Sequence, residues 1–515
     1  MPEARRNIRP PSRRSLRLYK TPTPFESRPT DLSRSKSTMH DRFTLMESGA
    51  HFDYTPLWKT LQNHEMQISD LSEIGLTPKT IAKFGKSEPI SIKTIQKICA
   101  HLEVNIEEIV RIHTTNKKSR GAGTFKPNQN EAIHRWYPYL EGYSGQLVKE
   151  ELQKIPKDGI IFDPFAGSGT TALAAAKFGY RAVYTEINPA MRKIARAKTQ
   201  IAPEVHRNAS AIEELISVRC QAQNILNHQS SSQSKYSLGT FDRFFSQENL
   251  QSIGEFQHIV DNQQNENIKE LASIALCSVA VPTSKMIRRG DLRFAKETEL
   301  RKTSLPFWKL IIEKLDQIIE DCKYHADFES NLCTCIGHDA RSFRTAQKVD
   351  AIITSPPYLN GTNYFRNTKL ELRLLNLIST ESELSDLYSQ GITAGINNVS
   401  KKRPATKPLS SVAKLIHEIT ENTYDARIPK MVSGYFSDMD KAVGEMAGIL
   451  KDGGKVSLDI GDSQFGGIHI PTHELLSQIM HAHKIVQTDE TILRTRRSRN
   501  GSILTQRIMR FEKRK

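Results

Sequence analysis

Residues 160–179 read IIFDPFAGSGTTALAAAKFG, and they predict a strand, a glycine loop and a helix in succession. The apolar run IIF predicts a buried strand, and the alanine-rich segment after the glycines predicts a helix. The glycines between them let the backbone approach a ligand, and the helix start offers unpaired amides. A second predicted strand, Arg181 to Thr185, ends at Glu186, 17 residues after Gly169, near the spacing at which an acid binds a ribose diol. The sequence therefore predicts a ligand that contains a ribose.

The residues around the loop exclude two common kinds of nucleotide site. Gly169 is followed by two threonines rather than by the lysine of a Walker loop, and the third glycine of a nicotinamide-binding loop is absent. Further along, residues 349–354 (VDAIIT) predict a strand that ends in the tetrapeptide SPPY, residues 355–358. Ligands of open α/β sheets lie at the carboxyl ends of the strands, so we expect both motifs to face one site.

The pair FDPFAGSGTT and TSPPY resembles the amino-methylating DNA methyltransferases, which transfer a methyl group from S-adenosylmethionine to an exocyclic base nitrogen. The resemblance covers most of residues 130–515, including HRWYPYLEGYSGQLVKEEL before the first strand and ILKDGGKVSLDIGDS beside the expected target pocket. It implies an α/β fold with a Rossmann-like methyltransferase sheet and helical insertions. It also implies these cofactor-binding residues: Asp163, Phe165, Gly167, Gly169, Thr170, Glu186 and Asp339. For Asp339, which would meet the adenine amino group, a capping role after a strand is an equal alternative.

The tetrapeptide SPPY suits transfer to an amino group. The lone pair of an exocyclic amine is delocalised into its ring, so acceptors must hold its hydrogens and pull the nitrogen toward tetrahedral geometry. We assign this role to the Ser355 side chain and the Pro356 carbonyl, with Pro357 completing the rigid diproline. Tyr358 is expected to stack on a base flipped out of the duplex.

The residue before Pro-Pro-Tyr bears on the target atom. In the family, Ser at this position occurs more with cytosine N4, and Asp or Asn more with adenine N6, so the resemblance favours N4-methylcytosine as the product. Two other functions stay open: guanine-N2 methylation of RNA, and transcriptional regulation by a domain that has become a sensor. A restriction-modification system is the expected setting, with a cognate restriction endonuclease as a candidate partner.

Residues 69–110, from SDLSEIGLTPKT to LEVNIEEIV, resemble the repressor-type helix-turn-helix domains of the Cro and C1 family. Their pattern predicts a small all-α domain with N-caps at Ser69 and Thr77 and a turn at Gly75. Five helices are predicted: Thr55 to Asn63, Ser69 to Ile74, Thr77 to Phe84, Ser91 to His101 and Asn105 to Ile112. The third would enter a major groove of double-stranded DNA through Lys79, Thr80 and Lys83, and the domain is a candidate homodimer interface. A bundle used only for dimerisation or docking is the alternative.

The composition supports a polyanionic partner, since 73 Lys and Arg against 57 Asp and Glu give a net charge of +16. No apolar stretch approaches the roughly 18 residues needed to cross a bilayer, and the start lacks the apolar core of a secretory signal. We therefore expect a cytoplasmic protein without membrane contact. The six Cys show no repeated CxxC spacing, so we predict neither a disulfide framework nor a bound metal.

The chain divides into four predicted segments: a basic, disordered tail over residues 1–50, a helix-turn-helix domain over 51–115, a linker over 116–130, and a methyltransferase domain over 131–515. Insertions at about 205–330 and 379–429 are the candidate target-recognition regions. In the first insertion, Arg288, Arg289 and Arg293 form a basic cluster that would reach phosphates or guanine edges. A solvated charged surface is the alternative.

Overall fold

The computed structural model describes residues 50–85, 88, 90–114, 123–139, 142–228, 236–359, 363–399, 408–423, 425–497 and 503–515. The chain forms two compact units, Met1–Lys117 and Lys118–Lys515. Except for its last residue, the basic tail predicted over residues 1–50 lies outside the described residues. None of the described helices is both long and apolar enough to cross a membrane.

The smaller unit is built from five elements with one buried apolar core. Leu57, Leu71, Phe84 and Ile98 are among the buried side chains of that core. The elements are β1 (Ala50–Asp53), α1 (Thr55–Asn63), α2 (Pro78–Gly85), α3 (Ile92–Leu102) and β2 (Arg111–Thr114).

The turn before α2 is as predicted. Gly75 has a φ of +78°, which an L side chain rarely adopts, and the Thr77 hydroxyl accepts a hydrogen bond from the Thr80 backbone amide at 3.2 Å. The cap predicted at Ser69 is wrong, because that residue lies within the 3₁₀ helix Ile68–Ser72, which begins after Gln67.

The smaller unit is not all-helical, which corrects the prediction. The fifth predicted helix is only a 3₁₀ turn, Ile106–Glu108, and the chain then extends as β2. The strand β2 pairs in antiparallel register with β1, so residues far upstream supply its hydrogen-bond partners. The β-branched residues Ile112 and Thr114 of β2 favour that extended conformation.

The larger unit contains strands β3–β13 and helices α4–α17. In chain order the first half comprises α4 (Gly145–Leu152), β3 (Ile160–Asp163), α5 (Thr170–Lys177), β4 (Arg181–Thr185), α6 (Pro189–Arg196), α7 (Ala202–His206), α8 (Ala209–His228), α9 (Gln247–Asp261), α10 (Glu266–Thr283), β5 (Met286–Arg289), β6 (Asp291–Phe294) and α11 (Phe307–Tyr324). The second half comprises β7 (Cys333–Gly337), β8 (Val349–Thr354), α12 (Tyr364–Asn367), α13 (Lys369–Leu374), α14 (Leu384–Gln390), α15 (Ala413–Asn422), α16 (Arg427–Ile449), β9 (Leu450–Gly461), β10 (Ser463–Phe465), β11 (Ile468–Ile470), α17 (Thr472–Ala482), β12 (Ile485–Arg497) and β13 (Ile503–Lys513).

Seven of these strands form the central sheet, in the order β12-β13-β9-β8-β3-β4-β7. The strands β9, β8, β3, β4 and β7 are mutually parallel, and β13 and β12 complete the sheet in antiparallel pairing. The Rossmann-like α/β prediction is therefore confirmed. The chain order reverses between β3 and β8, and their carboxyl ends are where a ligand of such a sheet lies.

Successive side chains of the central strands point to opposite faces of the sheet and pack into two separate apolar cores. On β3, Ile161 packs into the core on one face and Phe162 into the core on the other; Ala351 and Ile352 alternate in the same way on β8. The helices α8–α11 of the first predicted insertion share the first core with the sheet. That insertion is therefore an integral layer of the larger unit.

The predicted linker extends too far. Its second half belongs to the larger unit, because Phe125 and Asn128 are buried and the Asn128 side chain accepts a hydrogen bond from the Gly145 backbone amide at 2.8 Å. A single Phe in a polar stretch, two residues before a proline, gives little sign of burial. Residues 116–122, which form the first part of the predicted linker, lie outside the described residues.

Candidate active site

The glycine loop lies between β3 and α5, as predicted, and its two glycines do different things. Gly167 has a φ of +52°, and a Cβ there would come within 2.7 Å of the Tyr139 ring. Gly169 has a φ of +83°, and a Cβ there would come within 2.9 Å of the Ala195 side chain on α6. Gly167 therefore keeps space open beside an aromatic ring, whereas Gly169 permits close helix packing.

A cavity of about 950 Å³, including its mouth, opens beside this loop, and we call it the loop cavity. Five of the seven predicted cofactor residues line it: Phe165, Gly167, Thr170, Glu186 and Asp339. The other two, Asp163 and Gly169, lie behind the wall. The loop cavity is also lined by Ser355, Pro356 and Pro357, so the two motifs found in the sequence meet at one site.

Asp163, the last residue of β3, uses its side chain to join two neighbouring strands. Its Oδ1 accepts hydrogen bonds from the Thr354 hydroxyl at 2.6 Å and from the Phe165 backbone amide at 3.0 Å. Burial raises the pKa of this carboxyl, and the hydrogen bonds oppose that rise. Because Thr354 is the last residue of β8, Asp163 joins the strand of the glycine loop to the strand of the SPPY tetrapeptide.

Glu186 follows β4 and presents a buried carboxyl group to the loop cavity. Its two oxygens accept hydrogen bonds from the backbone amides of Gly167, at 2.6 Å, and Asn188, at 2.7 Å. Burial raises the pKa of Glu186 to about 7, although these two amides favour the charged form. Each oxygen keeps a further acceptor position, which is what two vicinal hydroxyls require.

Asp339 lies in the opposite wall and is held by Arg341. The Arg341 guanidinium bonds the Asp339 carboxylate at 2.7 Å and reaches Asp438 on α16 at 2.9 Å. Asp438 in turn accepts hydrogen bonds from the backbone amide and the hydroxyl of Thr393. Asp339 is therefore a wall residue whose carboxylate is already partly engaged.

The sequence did not reveal that a loop from the second predicted insertion covers the loop cavity. Gln390, Gly391, Ile392 and Asn398 all line it. Arg341 also donates a hydrogen bond to the Gln390 carbonyl, which ties this loop to the Asp339 wall. At least this part of residues 379–429 thus forms the ligand cavity.

A second cavity lies beside the first, and we call it the hairpin cavity because β12 and β13 contribute to its wall. Tyr358, Asp459 and Gln506 line it, and it shares Tyr364 and Gly142 with the loop cavity. Tyr358 therefore faces this second space, while the residues just before it face the first. The SPPY tetrapeptide forms the boundary between the two cavities.

Asp459 and Gln506 line this candidate site although neither was predicted from a sequence motif. The Gln506 side-chain amide lies 3.0 Å from the Tyr358 hydroxyl, 3.0 Å from either Asp459 oxygen and 2.7 Å from the Gly123 carbonyl. Burial raises the pKa of Asp459 to about 7 and that of Tyr358 well above its ordinary value. A carboxyl residue in the segment DIGDS was the available signal for Asp459, whereas nothing in the sequence marked Gln506.

The basic cluster of the first insertion is mostly neutralised, which corrects its interpretation as a DNA contact. Arg288 is buried and bonds Glu371 at 2.6 Å, and Arg293 bonds Glu299 at 2.8 Å. Arg289 is exposed, although Glu299 lies within 3.5 Å of it. Arg289 is the most exposed of the three, with 58% of its side chain accessible against 33% for Arg293. It precedes Gly290, a residue of the hairpin-cavity wall.

The predicted DNA-contacting side chains of the smaller unit lie on α2. Lys79 is exposed, and Thr80 and Lys83 are half-buried. The Thr80 hydroxyl lies 3.0 Å from that of Thr77, so it takes part in the helix cap. In the described residues, no group of three or more His, Cys, Asp or Glu side chains is arranged to hold a metal ion.

Comparisons with known proteins match both units. Residues 147–197 match the DNA methylase family of N6 and N4 methyltransferases, and residues 56–114 match the Cro/C1-type helix-turn-helix DNA-binding domain. The chain is 25% identical over 425 residues to the type II methyltransferase M.AvaI of Nostoc sp. (strain PCC 7120 / SAG 25.82 / UTEX 2576), an alignment that covers 75% of this chain and 86% of that relative.

A second relative is the type II methyltransferase M.BsoBI of Geobacillus stearothermophilus. It is 24% identical over 440 residues, covering 73% of this chain and 83% of its own. Among solved structures, the rRNA methyltransferase aviRa of Streptomyces viridochromogenes aligns with 75% of this chain and 92% of its own at 7% identity. Its TM-score of 0.27 is too low to support any argument from that structure.

Proposed function

Because the chain joins a domain of the N6/N4 DNA methylase family to a Cro/C1-type helix-turn-helix domain, we propose that it is a site-specific methyltransferase that methylates cytosine N4 in double-stranded DNA. DNA methyltransferases of this family use S-adenosylmethionine as the methyl donor. One observation carries the proposal: the SPPY tetrapeptide separates a cavity suited to this cofactor from a second cavity open to a base.

The loop cavity fits S-adenosylmethionine in the chemistry of its walls. A side chain at Gly167 would intrude beside Tyr139, so this stretch of backbone is kept bare for close approach. Glu186 would accept hydrogen bonds from the two ribose hydroxyls. Phe165 and Asp339 would hold the adenine ring and its amino group. When bound, the cofactor supplies an electrophilic methyl group on its sulfonium.

The protein's own contribution to the reaction is to position the amine. Ser355 and Pro356 would accept hydrogen bonds from the target amino group and hold the nitrogen lone pair toward the loop cavity. The base itself would occupy the hairpin cavity, stacked on Tyr358, since the amino group is inaccessible within a duplex. The Gln506 amide donates to the Tyr358 hydroxyl and to the Asp459 carboxylate, and this fixes the ring that would receive the base.

We propose cytosine N4 as the methylated atom because the residue before Pro-Pro-Tyr is Ser355. Its neutral hydroxyl can accept one hydrogen bond from the amine and does not add a negative charge beside the reacting nitrogen. We further propose that the enzyme works in the cytoplasm within a restriction-modification system, since its relatives are type II methyltransferases. A cognate endonuclease would then cleave the same sequence in unmodified DNA.

In the decisive experiment, the purified full chain is incubated with duplex DNA and transfer RNA. The methyl donor is S-adenosylmethionine that carries an isotopically labelled methyl group. We expect label in DNA alone and loss of labelling in Pro356→Ala, with cofactor affinity retained. Labelling of RNA alone would favour the guanine-N2 alternative. Cofactor binding without transfer to either nucleic acid would favour a sensor.

The helix-turn-helix domain is proposed to act separately, as a dimer that represses the protein's own promoter. A methyltransferase must visit every copy of its site, whereas a repressor-type domain reads one operator through one helix per half-site. Removing residues 1–115 should therefore leave the methylated sequence unchanged. Lys79→Ala with Lys83→Ala should relieve repression of a promoter reporter without altering the methylation pattern. A changed methylated sequence after truncation would assign the domain to target recognition.

A further inference from the structure

The two last strands form a hairpin that reaches beyond the central sheet. The strands β12 and β13 remain paired as far as Arg497 and Ile503, but β9 pairs with β13 only from Glu512 to Gln506. Three further hydrogen bonds join Asp462 to Thr505: the Asp462 backbone amide donates to the Thr505 carbonyl at 2.9 Å, and the Asp462 carboxylate accepts from the Thr505 amide and hydroxyl. The remaining end of the hairpin has no third strand beside it among the described residues.

At this end of the hairpin, one face of the paired strands β12 and β13 forms part of the wall of the hairpin cavity. Arg494 lies opposite Gln506 in the register, and Arg496 lies opposite Leu504. Residues directly opposite each other share one face of an antiparallel pair. All four line the hairpin cavity together with Tyr358. The face therefore runs from the buried Tyr358 hydroxyl outward to two arginines at the mouth.

These arginines differ from the other arginines described on the same hairpin. Arg507 bonds Glu490, and Arg510 bonds both Glu151 and Asp489. Arg494 and Arg496 are exposed, and neither forms an ion pair with a carboxylate of the described residues. Among the described residues, the mouth thus carries two guanidiniums that no carboxylate pairs with directly, although Asp459 and Asp462 line the same cavity. Guanidinium groups bind phosphate oxygens through paired N–H donors.

We propose that this face of the hairpin, formed by Arg494, Arg496, Leu504 and Gln506, is a phosphate-binding wall that holds the DNA backbone on either side of the flipped nucleotide. The inference rests on the proposed function and adds a DNA-binding site to it. The occupant is a DNA strand because the positive mouth opens into a cavity lined by Tyr358 and Tyr364, whose rings offer a base an aromatic surface. A nucleotide held here would place its base toward Tyr358 and its two phosphates toward the arginines.

The test compares Arg494→Gln/Arg496→Gln with a control pair, Arg181→Gln/Lys157→Gln, in the full chain. The control removes the same charge from exposed positions near the amino ends of β4 and β3, away from both cavities. The measurement is affinity for a duplex that contains the methylated sequence, at 50 and 200 mM salt. Each lost phosphate contact lowers the salt exponent by about 0.9.

Raising the salt from 50 to 200 mM lowers the affinity of every variant for DNA. If two phosphate contacts are lost, the factor by which the affinity falls should be about 12-fold smaller in the arginine variant than in the wild type or the control. Fluorescence of 2-aminopurine at the target position should show less base flipping in that variant. Arg494→Lys/Arg496→Lys should keep the wild-type salt dependence, since its charge is retained. Unchanged melting temperatures verify that each variant is folded.

An arginine variant with the salt dependence and the base-flipping signal of the wild type would overturn the inference, while methylation by the wild type would leave the proposed function standing. If the arginine and control variants lose equal salt dependence, the effect comes from net charge and the inference is also wrong. A wild type that transfers no methyl group to DNA would instead contradict the proposed function.

Discussion

The Thr354 hydroxyl donates a 2.6 Å hydrogen bond to the Asp163 carboxylate, and this bond joins the two halves of the candidate active site. Asp163 precedes the glycine loop, and Thr354 precedes the SPPY tetrapeptide. The two residues are 191 positions apart in the chain. Their contact fixes the distance between the loop that would hold the cofactor and the turn that would hold the amine.

Thr354→Val should therefore impair catalysis by displacing the SPPY turn, since Thr354 itself has no proposed contact with the reacting groups. Valine keeps the shape but leaves the buried Asp163 oxygen with one donor fewer, which costs roughly 1–3 kcal/mol of unfolding free energy. We expect a lower kcat with a smaller effect on cofactor affinity. Thr354→Ser, which retains the hydroxyl, should restore most of the activity. Equal kcat in the wild type and the valine variant would show that the bond does not position the turn.

Gly167→Ala should weaken S-adenosylmethionine binding at least tenfold, because the added Cβ would lie 2.7 Å from the Tyr139 ring in the cavity wall. Gly179→Ala is the matched control: its φ of +76° imposes similar backbone strain, but nothing lies within 4 Å of the added atom. That control should cost about 1 kcal/mol of stability and leave the affinity unchanged. Titration calorimetry separates the two effects.

The pKa of Glu186 makes stability and binding depend on pH in opposite directions. Its pKa is about 7 in the folded protein against an ordinary value of 4.5, so the folded state holds the proton more tightly. The stability of the unliganded protein should fall as pH rises from about 4.5 to about 7. Affinity for S-adenosylmethionine should rise through pH 7, because the ionised carboxylate is the better acceptor for ribose hydroxyls.

Melting temperatures measured between pH 5 and pH 8 test the first part, with Glu186→Gln as the comparison. The wild type should lose more stability over this range than the variant. Asp459, whose pKa is also about 7, contributes in the same direction and keeps part of the slope in the variant. A wild type that loses no more stability between pH 5 and pH 8 than Glu186→Gln would contradict the raised pKa of Glu186.

Arg288→Ala should destabilise the protein, whereas Arg289→Ala should not. The Arg288 guanidinium is buried against Glu371 at 2.6 Å, so its removal leaves an uncompensated charge and costs roughly 3–5 kcal/mol. Arg289 is exposed, and its replacement should change stability by about 0.5 kcal/mol or less. Chemical denaturation measures both values. Equal stability of the two variants would restore the interpretation of Arg288 as a surface residue.

The sequence predicts correctly those parts of the candidate site whose structure depends on residues adjacent in the chain. An apolar run, positive-φ glycines and a small-residue helix are adjacent in the chain, so Gly167 and Glu186 could be placed at one cavity before the fold was known. The SPPY tetrapeptide could be placed there too, since parallel strands bring their carboxyl ends to the same edge of the sheet.

The remaining site residues depend on contacts between distant parts of the chain. Gln506 meets Tyr358 across 148 positions, and Arg288 is buried by Glu371 across 83 positions. No local pattern distinguishes Arg288 from Arg289, although one is buried and the other exposed. The same limitation explains β2, whose strand partner lies upstream of the predicted helices.

The most direct test of the central claim is mass spectrometry of nucleosides from the DNA of cells that express the full chain. We expect N4-methylcytosine in the wild type, none in cells without the protein, and none with Tyr358→Ala. DNA that carries only N6-methyladenine would contradict the assignment of the target atom. DNA with no methylated base, from cells that contain the folded protein, would contradict the proposed activity itself.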